Sequence, residues 1–454
     1  MRLLVIAYYF PPSGGPGVQR VLKFVKYLRD FGWEPSVLTV DDGSFPQEDA
    51  ALAADIPRGT EVRRAPALDP LRLYARLKGG TGETAVPVGS LGEAGSLGER
   101  LARFVRANVF LPDARIGWVP YARRAARAWI EEAEGEGRPF QAVLTSGPPH
   151  SGHLIGLAAK RFRPSLRWVA DFRDPWTGIN YYDELPMTAA ARAADRRLER
   201  SVLRHADAAT TVSPTWADAI ARKGGASVPV PKGAGGAGAA VPHAKAVHVV
   251  HNGFDPDDFA GDAPAPPDER FVLAHVGSLY ASRNAPAVWE AVARLRARGA
   301  DRLRLRFVGP VDAAVRDSLA EHGVDALADF RAYVPHHEAV REMRSATALL
   351  LTIEPFALEA GMITGKAYEY LASGRPVVGV GPAGGDAARL LAATGAGRLA
   401  GRQDADAITA YLGDLYDRWE RGEAVSGAPA DAAAPYSRRL QSGRMAAVLR
   451  GDLG

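Results

Sequence analysis

The chain has 454 residues, 47% of them hydrophobic and 24% charged, a balance that excludes a disordered or fibrous protein and allows a sizeable core. Its 56 Lys and Arg against 52 Asp and Glu leave a net charge of only +4, which gives no reason to expect nucleic acid as a partner. The absence of cysteine excludes disulfides, thiolate zinc sites and a cysteine nucleophile, and fits a reducing compartment.

At roughly 150 residues per domain the length calls for two large domains. The apolar opening, residues 3–9, stops at Pro11-Pro12 without a small-residue cleavage site, so it reads as a buried strand and not as a signal peptide. A Gly-rich loop over 11–17 leads into a helix over 18–31, where Val21, Phe24, Val25 and Leu28 recur at helical spacing. A strand over 35–40 completes a β-loop-α-β unit. From about 43 to 98 Pro, Gly and Ala accumulate and periodicity weakens, as in an insertion made of loops. Alternation resumes with a helix over 121–132, a strand over 142–146, a helix over 151–162, a strand over 167–171, helix to His205 and a strand over 208–212.

Residues 223–246 are a Gly/Ala/Pro-rich loop too poor in apolar surface to fix its backbone. A second series follows, with strands over 247–250, 271–276, 303–308, 329–333, 348–353 and 376–380 and helices between them. The chain therefore reads as α/β, with two doubly wound Rossmann-like domains, 1–222 and 247–430, facing a central cleft. A terminal helical segment within 431–454 is expected to pack back across the first domain. No stretch approaches the ~20 apolar residues needed to span a bilayer, so membrane contact should be peripheral. Leu101, Phe104, Val105 and Val109 with Arg100, Arg103 and Arg106 form a basic amphipathic stretch. A packed helix with snorkelling arginines is the expectation, and an anionic membrane surface the alternative.

Open parallel sheets bind ligands beyond the carboxyl ends of their strands, where Gly-rich turns let a phosphate approach helix N-termini. Candidate turns are Gly14, Gly15 and Gly17 after the first strand, residues 277–284, and residues 361–366. Gly14-Gly15-Pro16-Gly17 does not match the dinucleotide pattern GxGxxG, and no acidic ribose partner is evident, which argues against a dehydrogenase. Residues 361–378 read as glycine loop, helix, glycine stop and strand. Loop N–H groups, the positive helix end and Lys366 in its first turn suit a diphosphate, while Glu369 one turn later suits ribose hydroxyls. A solvated helix face is the plainer reading of either residue alone.

In combination these segments carry a resemblance. The chain resembles the retaining glycosyltransferases of family four, the large GT-B group that builds polysaccharides and glycolipids, over most of its length. The resemblance rests on Pro11-Pro12 with Gly14-Gly15, Pro112-Asp113, Gly117-Trp118, residues 146–153, Asp171-Phe172-Arg173-Asp174-Pro175-Trp176, Thr211-Val212-Ser213, Asn252-Gly253-Phe254-Asp255, Gly277-Ser278-Leu279 and residues 369–378.

The resemblance implies a nucleotide-sugar site of Gly14, Gly15, Gly277, Ser278, Arg283, Gly361, Met362, Ile363, Thr364, Lys366 and Glu369. The second glutamate of the family's Glu-x7-Glu pair corresponds to Glu369; the first falls on Gly361, leaving Glu354 or Glu359 as substitutes. The family's Gly-Arg-Leu-x3-Lys cations become Gly277-Ser278-Leu279 followed by Arg283, so Arg283 and Lys366 are the expected replacements. With helix ends they would stabilise the departing diphosphate as a divalent metal does in other transferases. No metal and no cofactor are expected, and Asp257-Asp258 reads as a capping pair. His150 resembles the histidine that reaches the donor sugar, with His153 close enough to be confused with it. Asp171, Arg173 and Asp174 are open to an acceptor-side or general-base role and equally to a structural ion-pair cluster.

The activity so implied is transfer of a hexose-type sugar from a nucleoside-diphosphate sugar to a polysaccharide, glycolipid or small glycoside, with anomeric retention, in the cytoplasm or at the inner face of the membrane. Catalytic candidates are His150, Arg283, Lys366 and Glu369. A GT-B nucleotide-sugar 2-epimerase and a degenerate sugar-nucleotide-binding subunit are the alternatives, the second because Gly361 and Ser278 depart from the family pattern.

Overall fold

A strand buried on both faces needs an unbroken apolar run, and the first strand shows how such a run is used. In the computed structural model Leu3, Leu4, Val5 and Ile6 are all fully buried. Leu4 and Ile6 point into one core with Trp118, Trp129 and Trp168. Leu3 and Val5 point into another with Val21 and Val25 of the first helix and Leu28 of the 3-10 turn that follows it. The structure describes residues 1–43, 45, 48–68, 97–179, 181–224, 246–261 and 269–453. It divides into two units, Met1–His251 with Gln441–Gly454, and Asn252–Leu440.

Unit 1 carries seven parallel strands in the order β3-β2-β1-β4-β5-β6-β7. They are β1 Arg2–Ile6, β2 Glu34–Val40, β3 Val62–Ala65, β4 Ala142–Gly147, β5 Arg167–Phe172, β6 Ala208–Thr211 and β7 Val247–Val249. Unit 2 carries six, in the order β10-β9-β8-β11-β12-β13: β8 Phe271–Val276, β9 Leu303–Val308, β10 Ala328–Arg331, β11 Ala348–Thr352, β12 Val377–Val380 and β13 Gly397–Ala400. In both sheets the order reverses beside the first strand of the unit, between β1 and β4 and between β8 and β11. These reversals are the switch points at which doubly wound sheets bind ligands.

Several expectations are corrected. Residues 247–249 were expected to open the second domain, but they pair parallel with β6, Ala209 opposite Val247 and Thr211 opposite Val249. The first unit therefore runs to His251, because alternation along a chain does not show which sheet a strand joins. The region 43–98, expected to be loops, contains β3, whose burial is complete only at Ala65; such a short, half-exposed edge strand leaves little pattern. Residues 69–96 of that region lie outside the described residues, as do residues 225–245 of the Gly/Ala/Pro-rich loop. Strand β13 was likewise missed, being a short edge. The last helix, Arg438–Arg450, buries Met445, Ala446, Val448 and Leu449 in the core that holds Leu3 and Val5.

The helix Leu97–Val109 reverses the packed-helix expectation. Leu101 is 64%, Phe104 45%, Val105 39% and Val109 66% exposed, while Ala107 is buried and Arg103 and Arg106 are only partly exposed. Its Asn108 donates to Pro186 O and accepts from Thr188 N, so the polar side of the helix is the one that docks. Among the described residues no helix is long and apolar enough to cross a membrane.

Candidate functional site

In unit 2 the site grows from the carboxyl end of β8. Gly277 takes a φ of +106°, a conformation favourable only to glycine, and a Cβ there would lie 2.5 Å from Lys366 Nζ. Gly309, after β9, approaches in turn, its own Cβ position 3.0 Å from the Gly277 carbonyl carbon. Lys366 stands in the first turn of the helix Gly365–Ser373, whose N-cap Thr364 makes no side-chain capping bond and whose Thr364 Oγ1 is buried without a partner. The first N–H groups of a helix have no intrahelical acceptor. A lysine beside that positive end is electrostatically unfavourable unless an anion joins it. Burial, and then the neighbouring Arg283 guanidinium, push the Lys366 ammonium down to about 8.

Arg283 lies 3.4 Å from Glu354 Oε2, its Nε buried without a hydrogen bond, and Ser282 Oγ donates to the same carboxylate at 3.3 Å. Glu359 is instead committed to Arg402, so of the two glutamates Glu354 is the one that stands beside Arg283. Glu369 is a quarter exposed, 3.9 Å from His336 Nε2, which contacts Asp258 Oδ2 at 3.1 Å. Burial raises its carboxyl above the usual range, against the pull of His336 and Arg438. The Ile363 side chain is 3% exposed and part of the core, and Gly361 is buried at the end of a short turn of 3-10 helix, so these two residues offer a ligand only their backbone groups, while Met362 and Thr364 are partly exposed. Ser278 enters through its carbonyl, 3.5 Å from His275 Nε2.

In unit 1 the corresponding ends of β1, β4 and β5 carry the other candidates. Gly15, with φ +89°, caps the helix Pro16–Tyr27 without a side-chain bond, beside Gly14. A Cβ on Gly17 would lie 2.5 Å from Arg173 Nη1, so the Gly-rich loop and Arg173 come together. His150 is 6% exposed, and both its ring nitrogens are buried without a partner. Its ring stacks on Trp176 at 5.0 Å and 8°, while Trp176 Nε1 donates to buried Asp195 at 2.8 Å. Burial, with the nearby His153, Arg173 and Lys223, holds its imidazole well below the ordinary value, so His150 is neutral and suited to hydrogen bonding with hydroxyls.

His153 is fully buried and its Nδ1 lies 2.8 Å from Thr145 Oγ1; burial lowers it to about 4. The two histidines, ambiguous in sequence, are thus separated by their partners. Sequence reasoning missed Gly147, where a Cβ would lie 2.7 Å from His153 Nε2 and 2.9 Å from His150 Nδ1.

Asp171 is corrected as an acceptor-side candidate. Completely buried, it accepts from Arg20 Nε at 2.9 Å and Nη2 at 2.7 Å, from Ser146 Oγ at 2.8 Å and from Thr210 Oγ1 at 2.7 Å. Burial opposes its charge, yet Arg20 and the hydroxyls outweigh burial and hold the carboxyl below the usual range. Its acceptor capacity is used inside the fold. Arg20 also donates to His251 O and Val250 O, tying the first helix to the chain after β7. Arg173 and Asp174 form their own pair at 3.3 Å, 17% and 29% exposed, and these two remain open to a ligand.

Two family models match this arrangement of units. Residues 14–233 match the glycosyl transferase 4-like domain and residues 270–418 the glycosyl transferases group 1. The chain belongs to the group 1 glycosyltransferases. Curated protein sequences yield no match. Among solved structures, sucrose-phosphate synthase from Thermosynechococcus elongatus superposes with a TM-score of 0.58 at 15% identity, over 99% of this chain and 98% of that one. HepE of Anabaena, in complex with UDP and glucose, gives 0.59 at 15%, over 99% and 100%. A putative UDP-N-acetylglucosamine 2-epimerase from Listeria monocytogenes gives 0.53 at 13%, over 100% and 97%. At these identities the likeness is one of fold, and the fold of this glycosyltransferase is GT-B: two Rossmann-like units, each a parallel sheet flanked by helices.

Proposed function

We propose that this glycosyltransferase moves a hexose-type sugar from a nucleoside-diphosphate sugar to a glycan or lipid-linked acceptor, with retention and without a metal. One observation carries the reading: two cations, Lys366 and Arg283, lie at an uncapped helix end where, among the described residues, Glu354 faces Arg283 and no carboxylate forms an ion pair with Lys366. A diphosphate supplies the missing charge. Glu369 would accept from the ribose hydroxyls; in unit 1, neutral His150 is by itself a group suited to hydrogen bonding with a hydroxyl. The UDP held by HepE supports a donor of this class.

In the transfer the acceptor oxygen forms a bond to the anomeric carbon as the bond from that carbon to the phosphate oxygen breaks. The departing diphosphate takes the electron pair, stabilised by the two cations, and a phosphate oxygen on the same face takes the acceptor's proton, which accounts for retention. The outward apolar row Leu101, Phe104, Val105 and Val109, with the exposed Arg100 on the same helix, supports contact with the inner, anionic face of a membrane, where a lipid-linked acceptor would be met.

The test is a panel of nucleoside-diphosphate sugars in EDTA, with nucleotide release followed with and without membrane lipids. Release that survives EDTA, rises with acceptor and is lost in Glu369→Ala and Arg283→Ala is the expected result. A rearranged nucleotide sugar formed without acceptor would make the protein a 2-epimerase, and donor binding without any turnover would make it a binding subunit.

A further inference from the structure

A lysine has four rotatable side-chain bonds, and holding its ammonium at one point costs rotamer entropy that a ligand must meet on binding unless a neighbour has already fixed it. Lys366 has such a neighbour outside the residues assigned to the nucleotide. His275, at the penultimate position of β8, is 2% exposed. Its Nδ1 is 3.0 Å from Leu350 O on β11, and its Nε2 is 3.2 Å from Lys366 Nζ. A carbonyl only accepts and an ammonium only donates. Nδ1 must then carry the ring proton, and Nε2 must offer its lone pair to Lys366. The nearby Ser278 O, 3.5 Å away, gains no bond in that tautomer.

We propose that His275 is a positioning residue: its Nε2 lone pair fixes the Lys366 ammonium over Gly277, where a donor diphosphate would meet it. The inference rests on the reading of Lys366 as a phosphate-binding cation. Burial, then Lys366 itself, push the His275 imidazole down to about 3, so the ring keeps its lone pair at every working pH. The charged groups facing Lys366 are Arg283, from the turn after β8, and Glu369 on its own helix. Arg283 faces Glu354, and Glu369 faces His336, Asp258 and Arg438.

Two substitutions separate this role from a merely structural one. His275→Asn keeps an N–H for Leu350 O and removes the acceptor; His275→Gln keeps an acceptor near the Nε2 position and gives up the Leu350 bond. Binding of UDP, GDP and ADP to the full chain is measured by calorimetry from pH 6.5 to 9.5, on variants whose melting and circular dichroism show that they fold. For the nucleotide that binds best, the wild type loses affinity above pH about 8, as Lys366 gives up its proton. The Asn variant is expected to bind about tenfold more weakly, one charge-assisted hydrogen bond's worth, with its falling limb displaced to lower pH. The Gln variant recovers most of the loss.

An Asn variant with wild-type affinity and pH limb, or a Gln variant weaker than Asn, overturns the proposal. Should neither variant fold, histidine-selective 15N NMR of the wild type decides. The resonance perturbed by Lys366→Ala must show an Nδ1-protonated ring, and an Nε2-protonated ring overturns the assignment. Undiminished nucleotide binding by Lys366→Ala would sink the phosphate-site reading itself. Weak binding by Lys366→Ala with a wild-type-like Asn variant would sink only the role of His275.

Discussion

Replacing Gly277 by alanine perturbs the site through two separable effects. The backbone there has φ +106°, so any side chain strains it, at a cost of about 1–3 kcal/mol of stability. The added Cβ would also lie 2.5 Å from Lys366 Nζ and 2.6 Å from its Cε, closer than van der Waals contact by about 1 Å. The lysine tip is the softer partner and withdraws, which breaks its 3.2 Å contact with His275 and removes one charge-assisted bond from a bound diphosphate. Such a bond contributes about 1.5–3 kcal/mol, equivalent to about a 10- to 150-fold loss of affinity. Urea unfolding reads the first effect and calorimetric titration with nucleoside diphosphates the second. In a Lys366→Ala background the stability loss should persist while the affinity loss disappears. If Gly277→Ala weakens nucleotide binding as much without Lys366 as with it, the reasoning is refuted.

Arg20→Met strips a fully buried carboxylate of its counter-ion and leaves two carbonyls without their donor, so unit 1 should lose about 3–5 kcal/mol; a loss below about 1 kcal/mol in urea would show that Asp171 is not the charged hub described. His153 titrates near 4 when folded against 6.5 for a free histidine. The unfolded chain therefore binds the proton first as pH falls, and the contribution of His153 to stability is level above about 6.5 and declines by about 3 kcal/mol by pH 4. His153→Phe should flatten that part of the stability–pH curve, and an unchanged slope would contradict the assignment. Flotation with anionic vesicles should carry the protein upward through its exposed Leu101 and Phe104, and Leu101→Asp with Phe104→Asp should leave it at the bottom; equal flotation of both would remove the membrane contact.

The alternation of apolar runs and helical periods was enough, read along the chain, to set the fold class and the bounds of elements such as β8, β9 and the helix Ser151–Phe162, because β8, buried on both faces, needs an unbroken apolar run and β9, with Arg304 and Arg306 partly exposed, keeps a period of two. Spacing also located the helix that carries Lys366 and Glu369. Edge strands β3 and β13 escaped because a half-exposed strand can take almost any residue, and β7 was misassigned because pairing is a property of two segments and not of one. The division of labour among charged and imidazole groups was decided in three dimensions only. Asp171 looks like a ligand-facing carboxylate until Arg20, 151 positions away, is seen to close on it. His150 and His153 differ only in their partners, and His275 is a plain strand residue until the fold brings Lys366 to its ring from 91 positions away. Local sequence reports which groups can ionise; burial and the partners supplied by distant segments set which of them do, and to what end.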